Sequence, residues 1–214
     1  MNKEILTCYF IAGPKNFPEL SIEEAVEKII EILESGVSSY QFRDKGTVYR
    51  SHSQRMATVL KLQEAAKDLH IPFIINDDLE LACRIQADGV HLGQQDRAVA
   101  EAREKLGPQK YIGLSVRNKQ EILAAQEQES EADYLGIGPI YPTSSKSDAA
   151  EPLGEGQLSQ LLRVNEKAII GIGGITVESL NPLSQMPLDG VAVISLLTRA
   201  TNPQNIVRKI HTLF

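Results

Sequence analysis

The residues best equipped for chemistry are acids and cations standing where apolar runs stop. Pro72-Phe73-Ile74-Ile75 ends in Asn76-Asp77, and about one βα unit later Asp88-Gly89-Val90-His91-Leu92 gives way to Gly93-Gln94-Gln95-Asp96. If both runs are strands of one sheet, Asp77 and Asp96 leave it at the same edge. Two carboxylates there, with little positive charge beside them, form a site for the hard cation Mg²⁺, which points to a phosphorylated substrate. Gln41 and Arg43 alternate with Tyr40 and Phe42, so one face of that strand is polar, and Lys45 follows. A lone Arg in such a place reads as a structural ion pair. Arg43 and Lys45 together, on the side expected to carry Asp77 and Asp96, read as a polyanion site: a planar fork plus a mobile point charge. Asp78 could instead serve as the cap of a helix starting near Leu79, and His91, inside an apolar run, reads as a satisfied internal histidine rather than a ligand.

Further polar groups follow later runs. Ser115 ends the fifth. The connection from Gly138 to Gly156 is long and rich in Pro, Ser and Gly, and carries Thr143, Ser144, Ser145 and Lys146. Hydroxyls and an ammonium on such a segment suit an anion that a lid closes over; a tolerated surface insertion is the alternative. Gly171-Ile172-Gly173-Gly174 ends the seventh run and Ile194-Ser195 the eighth. Glycines let backbone N–H groups approach a ligand, and this pair of loops is a common phosphate cradle. The residues therefore imply two anion sites. One is cationic and metal-assisted (Asp77, Asp96, Arg43, Lys45, with Lys146), and suits a diphosphate. The other is built from Gly173, Gly174 and Ser195, and suits a monophosphate.

These groups need a scaffold that brings strand ends together. β-rich runs fall at Leu6–Ile11, Ser38–Phe42, Phe73–Ile75, Gly89–Leu92, Tyr111–Ser115, Tyr134–Ile137, Ala168–Ile172 and Gly190–Ile194. Between them lie helical patterns. Ile22, Val26, Ile29, Ile30 and Leu33 recur at helical spacing, with Ser21 placed to cap and Gly36 to stop the helix. Arg50–Leu69, Leu79–Ile85, Ala98–Leu106, Lys119–Gln128, Gln157–Leu162, Val177–Leu183 and Pro203–Thr212 supply the rest. Strands each followed by a helix predict an α/β protein, a (β/α)₈ TIM barrel forming a single domain over residues 1–214. An open doubly wound sheet is the rival, weakened by the lack of GxGxxG after the first strand.

With a net charge of −6 and a pI near 5.3, nucleic acid and anionic membranes are poor partners, while a small anionic substrate is not excluded. No apolar run approaches the ~20 residues that cross a bilayer. Met1–Phe10 lacks the pattern of a signal peptide, and Cys8 and Cys83 have no metal-like spacing, so a cytoplasmic location is expected. No Cys–His or Ser–His–Asp arrangement and no strand lysine is evident, which disfavours acyl transfer and Schiff-base chemistry. Nothing in these patterns sets an oligomeric state.

Tyr40-Gln41-Phe42-Arg43-Asp44-Lys45, Ile75-Asn76-Asp77-Asp78, Ala87 to Asp96, Gly138-Pro139-Ile140-Tyr141-Pro142-Thr143 with Lys146, and Gly171-Ile172-Gly173-Gly174-Ile175 together resemble the thiamine phosphate synthase family, from about Tyr9 to about Ser195. Each motif is modest alone; five in register are specific. The resemblance implies a (β/α)₈ transferase that joins an aminopyrimidine methyl diphosphate to a hydroxyethylthiazole phosphate by dissociative substitution, releasing pyrophosphate and forming thiamine monophosphate. It further implies that Gln41, Arg43, Lys45, Asn76, Ser115 and Lys146 hold the pyrimidine diphosphate. Asp77 and Asp96 would hold Mg²⁺, and Thr143, Ser145, Gly174, Ile194 and Ser195 the thiazole phosphate. Two departures stand out: Ser145 where the family often has Thr, which keeps the hydroxyl, and Arg117 where it often has His. Related thiazole tautomerases, sugar-phosphate barrels and a silent binding barrel are the competing readings. The first should lack the metal acids, the second has no need of Arg43 and Lys45 beside them, and the third should have lost part of the cationic set.

Overall fold

The apolar runs become strands because they are covered on both faces. A computed structural model describes residues 2–47, 49–94, 99–127, 132–143, 145 and 150–214. Its strands are β1 (Cys8–Ala12), β2 (Ser39–Phe42), β3 (Phe73–Asn76), β4 (Gly89–Leu92), β5 (Tyr111–Val116), β6 (Tyr134–Ile137), β7 (Ala168–Ile172) and β8 (Gly190–Val193). Each pairs in parallel with the next, and β8 pairs back onto β1 through Cys8–Val191, Tyr9–Ala192 and Phe10–Val193, closing the barrel. The expected TIM barrel is the fold. Alternation along β1 shows the two layers: Cys8, Phe10 and Ala12 face the helices, whereas Tyr9 and Ile11 fill the barrel. Coverage of both faces is why these strands read as unbroken apolar runs.

The helices are α1 (Ile22–Leu33), α2 (His52–Asp68), α3 (Leu79–Arg84), α4 (Val99–Leu106), α5 (Lys119–Glu127), α6 (Gly154–Leu162), α7 (Leu180–Ser184), α8 (Ser195–Thr198) and α9 (Pro203–Leu213). Ser21 caps α1 through a reciprocal exchange with Glu24, and Ala25, Val26, Ile29, Ile32 and Leu33 form its buried stripe. Asn202 caps α9, with Pro203 in the first turn. Several boundaries differ from expectation; α6, for one, starts at Gly154 rather than Gln157. Leu6 belongs to a 3₁₀ turn, Lys3–Leu6, so β1 starts at Cys8. α7 begins at Leu180, because Val177–Ser179 form a turn in which the Ser179 hydroxyl accepts from the Thr176 N–H at 3.0 Å. α8 is an unexpected short helix at the end of β8.

The floor of the barrel repeats one device. Just before β4, β6 and β8 stand Asp88, Asp133 and Asp189. Their carboxylates accept from the backbone N–H of Phe73, Ile112 and Ile169 at 2.9, 2.7 and 2.8 Å, near the starts of β3, β5 and β7. Each Asp returns its own N–H to the same residue's carbonyl. Ser38, just before β2, does the same for Cys8, with its hydroxyl accepting at 3.2 Å. Backbone donors at strand starts that the ladder would leave open are thus satisfied, four times over, by a short side chain from the neighbouring strand. Replacing Asp189 by Ala should therefore lower unfolding stability by roughly 1.5–3 kcal/mol, the usual contribution of a hydrogen bond to a charged group. Urea unfolding measures this, and a loss below about 0.5 kcal/mol would show that the device is dispensable.

Candidate active site

The opposite face of the barrel, where the strands end, gathers the polar residues. Arg43 and Lys45 follow β2, Asn76 and Asp77 end β3, Gly93 and Gln94 follow β4, and Ser115 lies near the end of β5. With Gly138, Pro139, Thr143, Ser145, Ala150, Ile172, Gly173 and Ile194 they line a cavity of about 370 Å³. A smaller recess adjoins it, lined by Gly173, Gly174, Ile175, Ile194 and Ser195 and sharing Thr143 and Ser145. Below the mouth an inner cleft is lined by Tyr9, Gln41, Arg43, Asn76, His91 and Ser115. The structure therefore brings together Gln41, Arg43, Lys45, Asn76, Asp77, Ser115, Thr143, Ser145, Gly174, Ile194 and Ser195. Asp96 and Lys146 lie outside the described residues. Arg117 is exposed beyond β5 and lines none of these cavities; its N–H donates to Glu121. A larger open cleft of about 860 Å³ lies at the strand-start face near Pro72 and Asp88 and contains none of these groups.

Asp77 and Asp78 are neighbours with different duties. Asp78 caps α3 by accepting from the Leu81 N–H at 3.0 Å, and its other oxygen accepts from Arg55 Nη2 at 3.0 Å. Asp77 does not cap. Its backbone is held at φ +61°, a conformation that carries strain in a non-glycine residue and is concentrated at functional sites. Its N–H donates to the His91 carbonyl at 2.8 Å and its carbonyl accepts from Leu79, so β4 and the start of α3 fix the turn. The carboxylate faces the cavity and ion-pairs with Lys45.

Arg55, on α2, was not legible as a site residue. Its Nε donates to Asp44 at 2.7 Å while its Nη2 reaches Asp78. Asp44 sits between Arg43 and Lys45, and Asp78 follows Asp77. One guanidinium thus ties the β2 and β3 loops together from beneath. Hydrogen bonding to Asp44 raises its pKa above the ordinary arginine value, so the clamp stays charged at any working pH.

The Gly173-Gly174 turn has a reason the sequence alone did not show. Both residues have positive φ, +98° and +66°. A Cβ on Gly173 would lie 2.5 Å from the Pro139 Cβ, and one on Gly174 would lie 2.4 Å from the Pro142 carbonyl oxygen. The glycines admit the β6–α6 connection, whose Ile140 and Tyr141 N–H groups extend the ladder onto the Ile172 and Gly173 carbonyls. That packing seats Thr143 and Ser145 over both recesses. The base of the connection is closed by Leu153 and Gly154 N–H groups donating to Pro139 and Ile140.

Inside the barrel, polar side chains form a continuous line. Gln41 Nε2 donates to Tyr9 Oη at 3.0 Å, Tyr9 Oη meets Tyr134 Oη at 2.7 Å, Tyr134 Oη meets His91 Nδ1 at 3.2 Å, and His91 Nε2 meets Ser115 Oγ at 3.0 Å. His91 is thus the satisfied internal histidine expected of it, yet one hydrogen bond from the cavity.

The family model described as thiamine monophosphate synthase matches residues 8–197. The chain belongs to the thiamine monophosphate synthase family. It carries the activity of that family, a transferase of thiamine biosynthesis. A thiamine-phosphate synthase of Lactococcus lactis subsp. lactis is 54% identical over 205 residues, covering 96% of this chain and 94% of that protein. One from Geobacillus kaustophilus is 42% identical over 203 residues, covering 94% and 89%. Among solved structures, the thiamine phosphate pyrophosphorylase of Pyrococcus furiosus superposes with a TM-score of 0.80 at 27% identity, covering 99% of this chain and 96% of that one. The motifs that carried the resemblance all lie within the matched span.

For a synthase of this family the Arg55 clamp has a kinetic consequence. Arg55→Met keeps the apolar stem but frees the β2 and β3 loops. We expect kcat/KM to fall on the order of 10–100-fold, as small misplacements of positioning groups do, with the circular dichroism spectrum unchanged. Unaltered steady-state kinetics would show that the loops hold their places without it.

Proposed function

We propose that this enzyme joins an aminopyrimidine methyl diphosphate to a hydroxyethylthiazole phosphate, giving thiamine monophosphate and pyrophosphate. The observation that carries this reading is that two recesses of different lining share one wall. Thr143, Ser145, Ile172, Gly173 and Ile194 line both. One side offers Arg43 and Lys45; the other offers a glycine turn and the start of α8 at Ser195. A diphosphate suits the first and a monophosphate the second, so their two rings would meet across the shared wall.

In the step itself the bond between the methylene carbon and the diphosphate oxygen breaks, and both electrons leave with pyrophosphate. The electron-rich aminopyrimidine stabilises the methylene cation, and the thiazole nitrogen lone pair closes the new C–N bond. No nucleophilic side chain is required. The protein must stabilise charge gathering on the departing pyrophosphate, align the rings and exclude water. Arg43, Lys45 and Lys146 serve the first need, and Lys45 can turn from Asp77 to a phosphate oxygen. Gln41, Asn76 and Ser115 hold the pyrimidine, with Ser115 at the reacting end. Thr143, Ser145, Gly174, Ile194 and Ser195 hold the thiazole phosphate, and Pro139, Thr143 and Ser145 of the β6–α6 connection border the mouth.

Asp77 fits Mg²⁺: a carboxylate facing the cavity, beside the oxygen donors of Asn76 and Gln94, with its neighbour Asp78 already committed to α3 and Arg55. Asp77 and Asp96 would hold the ion, which when bound would neutralise charge on the leaving pyrophosphate. A cytoplasmic setting agrees with two unpaired thiols: Cys8 is buried, and burial pushes it up to about 12, while Cys83 lies on α3. Among the described residues no helix is long and apolar enough to cross a membrane.

The direct test is pyrophosphate release with both substrates, with and without Mg²⁺. Release together with thiamine monophosphate is expected only when both substrates and the metal are present. Undiminished release after chelation would remove the metal from the scheme, and no thiamine monophosphate would remove the scheme itself. Asp77→Gly should separate function from fold. Glycine relieves the positive φ while deleting the carboxylate, so turnover should fall about 10²–10³-fold with stability within about 1 kcal/mol of the parent. Ser195→Ala should raise the KM for the thiazole phosphate about 10–100-fold, the worth of one charge-assisted hydrogen bond, and that for the pyrimidine diphosphate much less. Equal rises would contradict the two-recess map.

A further inference from the structure

The line of polar groups through the barrel has a direction, and the direction follows from counting protons. Gln41 Nε2 only donates, so Tyr9 Oη accepts there. Tyr9 is fully buried, and its one proton has Tyr134 Oη, 2.7 Å away, as its acceptor. Tyr134 Oη therefore accepts from Tyr9, and its own proton goes to His91 Nδ1 at 3.2 Å. A bare Nδ1 leaves the neutral ring its proton on Nε2, which is donated to Ser115 Oγ at 3.0 Å. With His91 instead donating from Nδ1, Tyr134 Oη would accept twice and its own proton would be buried without an acceptor, an arrangement proteins avoid. Ser115 Oγ, having accepted from the ring, is left with its hydroxyl proton to give to the cavity.

Two further observations support a built relay. β5 makes room for it: a Cβ on Gly113 would lie 2.3 Å from His91 Nδ1 and 2.5 Å from Tyr134 Oη. Burial raises the pKa of both Tyr9 and Tyr134, so both remain protonated donors at any working pH.

We propose that His91 and Tyr134 are positioning residues that fix the Ser115 hydroxyl as a hydrogen-bond donor toward the pyrimidine substrate. This rests on the reading that Gln41 and Ser115 hold the pyrimidine. The same polarity leaves the Gln41 carbonyl oxygen as an acceptor in the inner cleft. An acceptor and a donor in one cleft match a ring that presents an exocyclic amine and a ring nitrogen. Tyr134 touches no substrate; it acts only by holding the His91 tautomer.

The test has two parts. Nitrogen NMR of the imidazole in the unmutated protein should show His91 protonated on Nε2 and bare on Nδ1. The reverse tautomer, or a doubly protonated ring at neutral pH, overturns the proposal. In Tyr134→Phe the ring should be free to invert, and the KM for the pyrimidine diphosphate should rise about tenfold, a common scale for coupled groups, while that for the thiazole phosphate stays within about twofold. In a Ser115→Ala background the same substitution should add little, because the group it positions is gone. Equal fold-changes in both backgrounds, or equal rises for both substrates, would show a structural tyrosine only. The tautomer measurement needs no variant, so it stands even where Tyr134→Phe folds poorly. Failure of the underlying function shows separately, as unmutated protein that forms no thiamine monophosphate.

Discussion

Closure of β1 onto β8 is the constraint on which the rest depends. It places the end of the last strand beside the first, so Ser195 and Arg43, far apart in the chain, border adjoining recesses. It also fixes which residues face inward. A slip of one residue would send Tyr9 to the helices and Phe10 into the barrel. The four floor contacts from Ser38, Asp88, Asp133 and Asp189 join strands in the pairs β1–β2, β3–β4, β5–β6 and β7–β8, each at its start, where register is set. A polar device at one face thus secures the placement of chemical groups at the other.

The mouth separates strain from support. Asp78, Asp44 and Arg55 form a half-buried ion network whose members point away from the cavity. Asp77 and Lys45 occupy the adjoining positions and face it. Adjacent residues in the chain thus alternate between holding the loop and facing the ligand. The left-handed turn at Asp77 is tolerable because the His91 carbonyl and Leu79 N–H pin it on both sides.

Much of this was legible in the amino-acid order. Short β-rich runs alternating with amphipathic helices led to the closed barrel, and the abrupt polar ends of those runs led to the cavity. Ser21, Gly36 and Asn202 acted as expected at helix ends. What escaped has physical reasons. A four-residue helix such as α8 has no period to detect. Arg55 sits in a helix whose polar residues are spread around its circumference, so nothing in its spacing marks it apart. Gly173 and Gly174 were read through the ligand, whereas their immediate neighbours are Pro139, Tyr141 and Pro142. Tyr9, His91 and Tyr134 lie in apolar runs, where alternation assigns them to the core without revealing that their polar atoms meet. Gly113, a glycine within a strand, was the available signal, since such a residue often marks the close approach of another group.

Barrel interiors of this class are usually filled by branched apolar side chains. Ile5, Leu6, Ile11, Ile74 and Ile170 follow that rule here, Ala168 and Ala192 fill the narrower places, and Tyr9 and Tyr134 pack among them. A row of hydroxyl, imidazole and carboxamide groups in the same space is a poor way to gain stability, because each buried polar atom must find a partner or forfeit several kcal/mol. The row is satisfied link by link, and it ends in the inner cleft at both Gln41 and Ser115. A satisfied network in a low-dielectric interior is rigid, and its proton order is hard to reverse locally because each link depends on the next. Orienting the groups that meet the substrate is a purpose that apolar packing could not serve. The polar layer therefore belongs to the site, although most of its atoms lie beneath it.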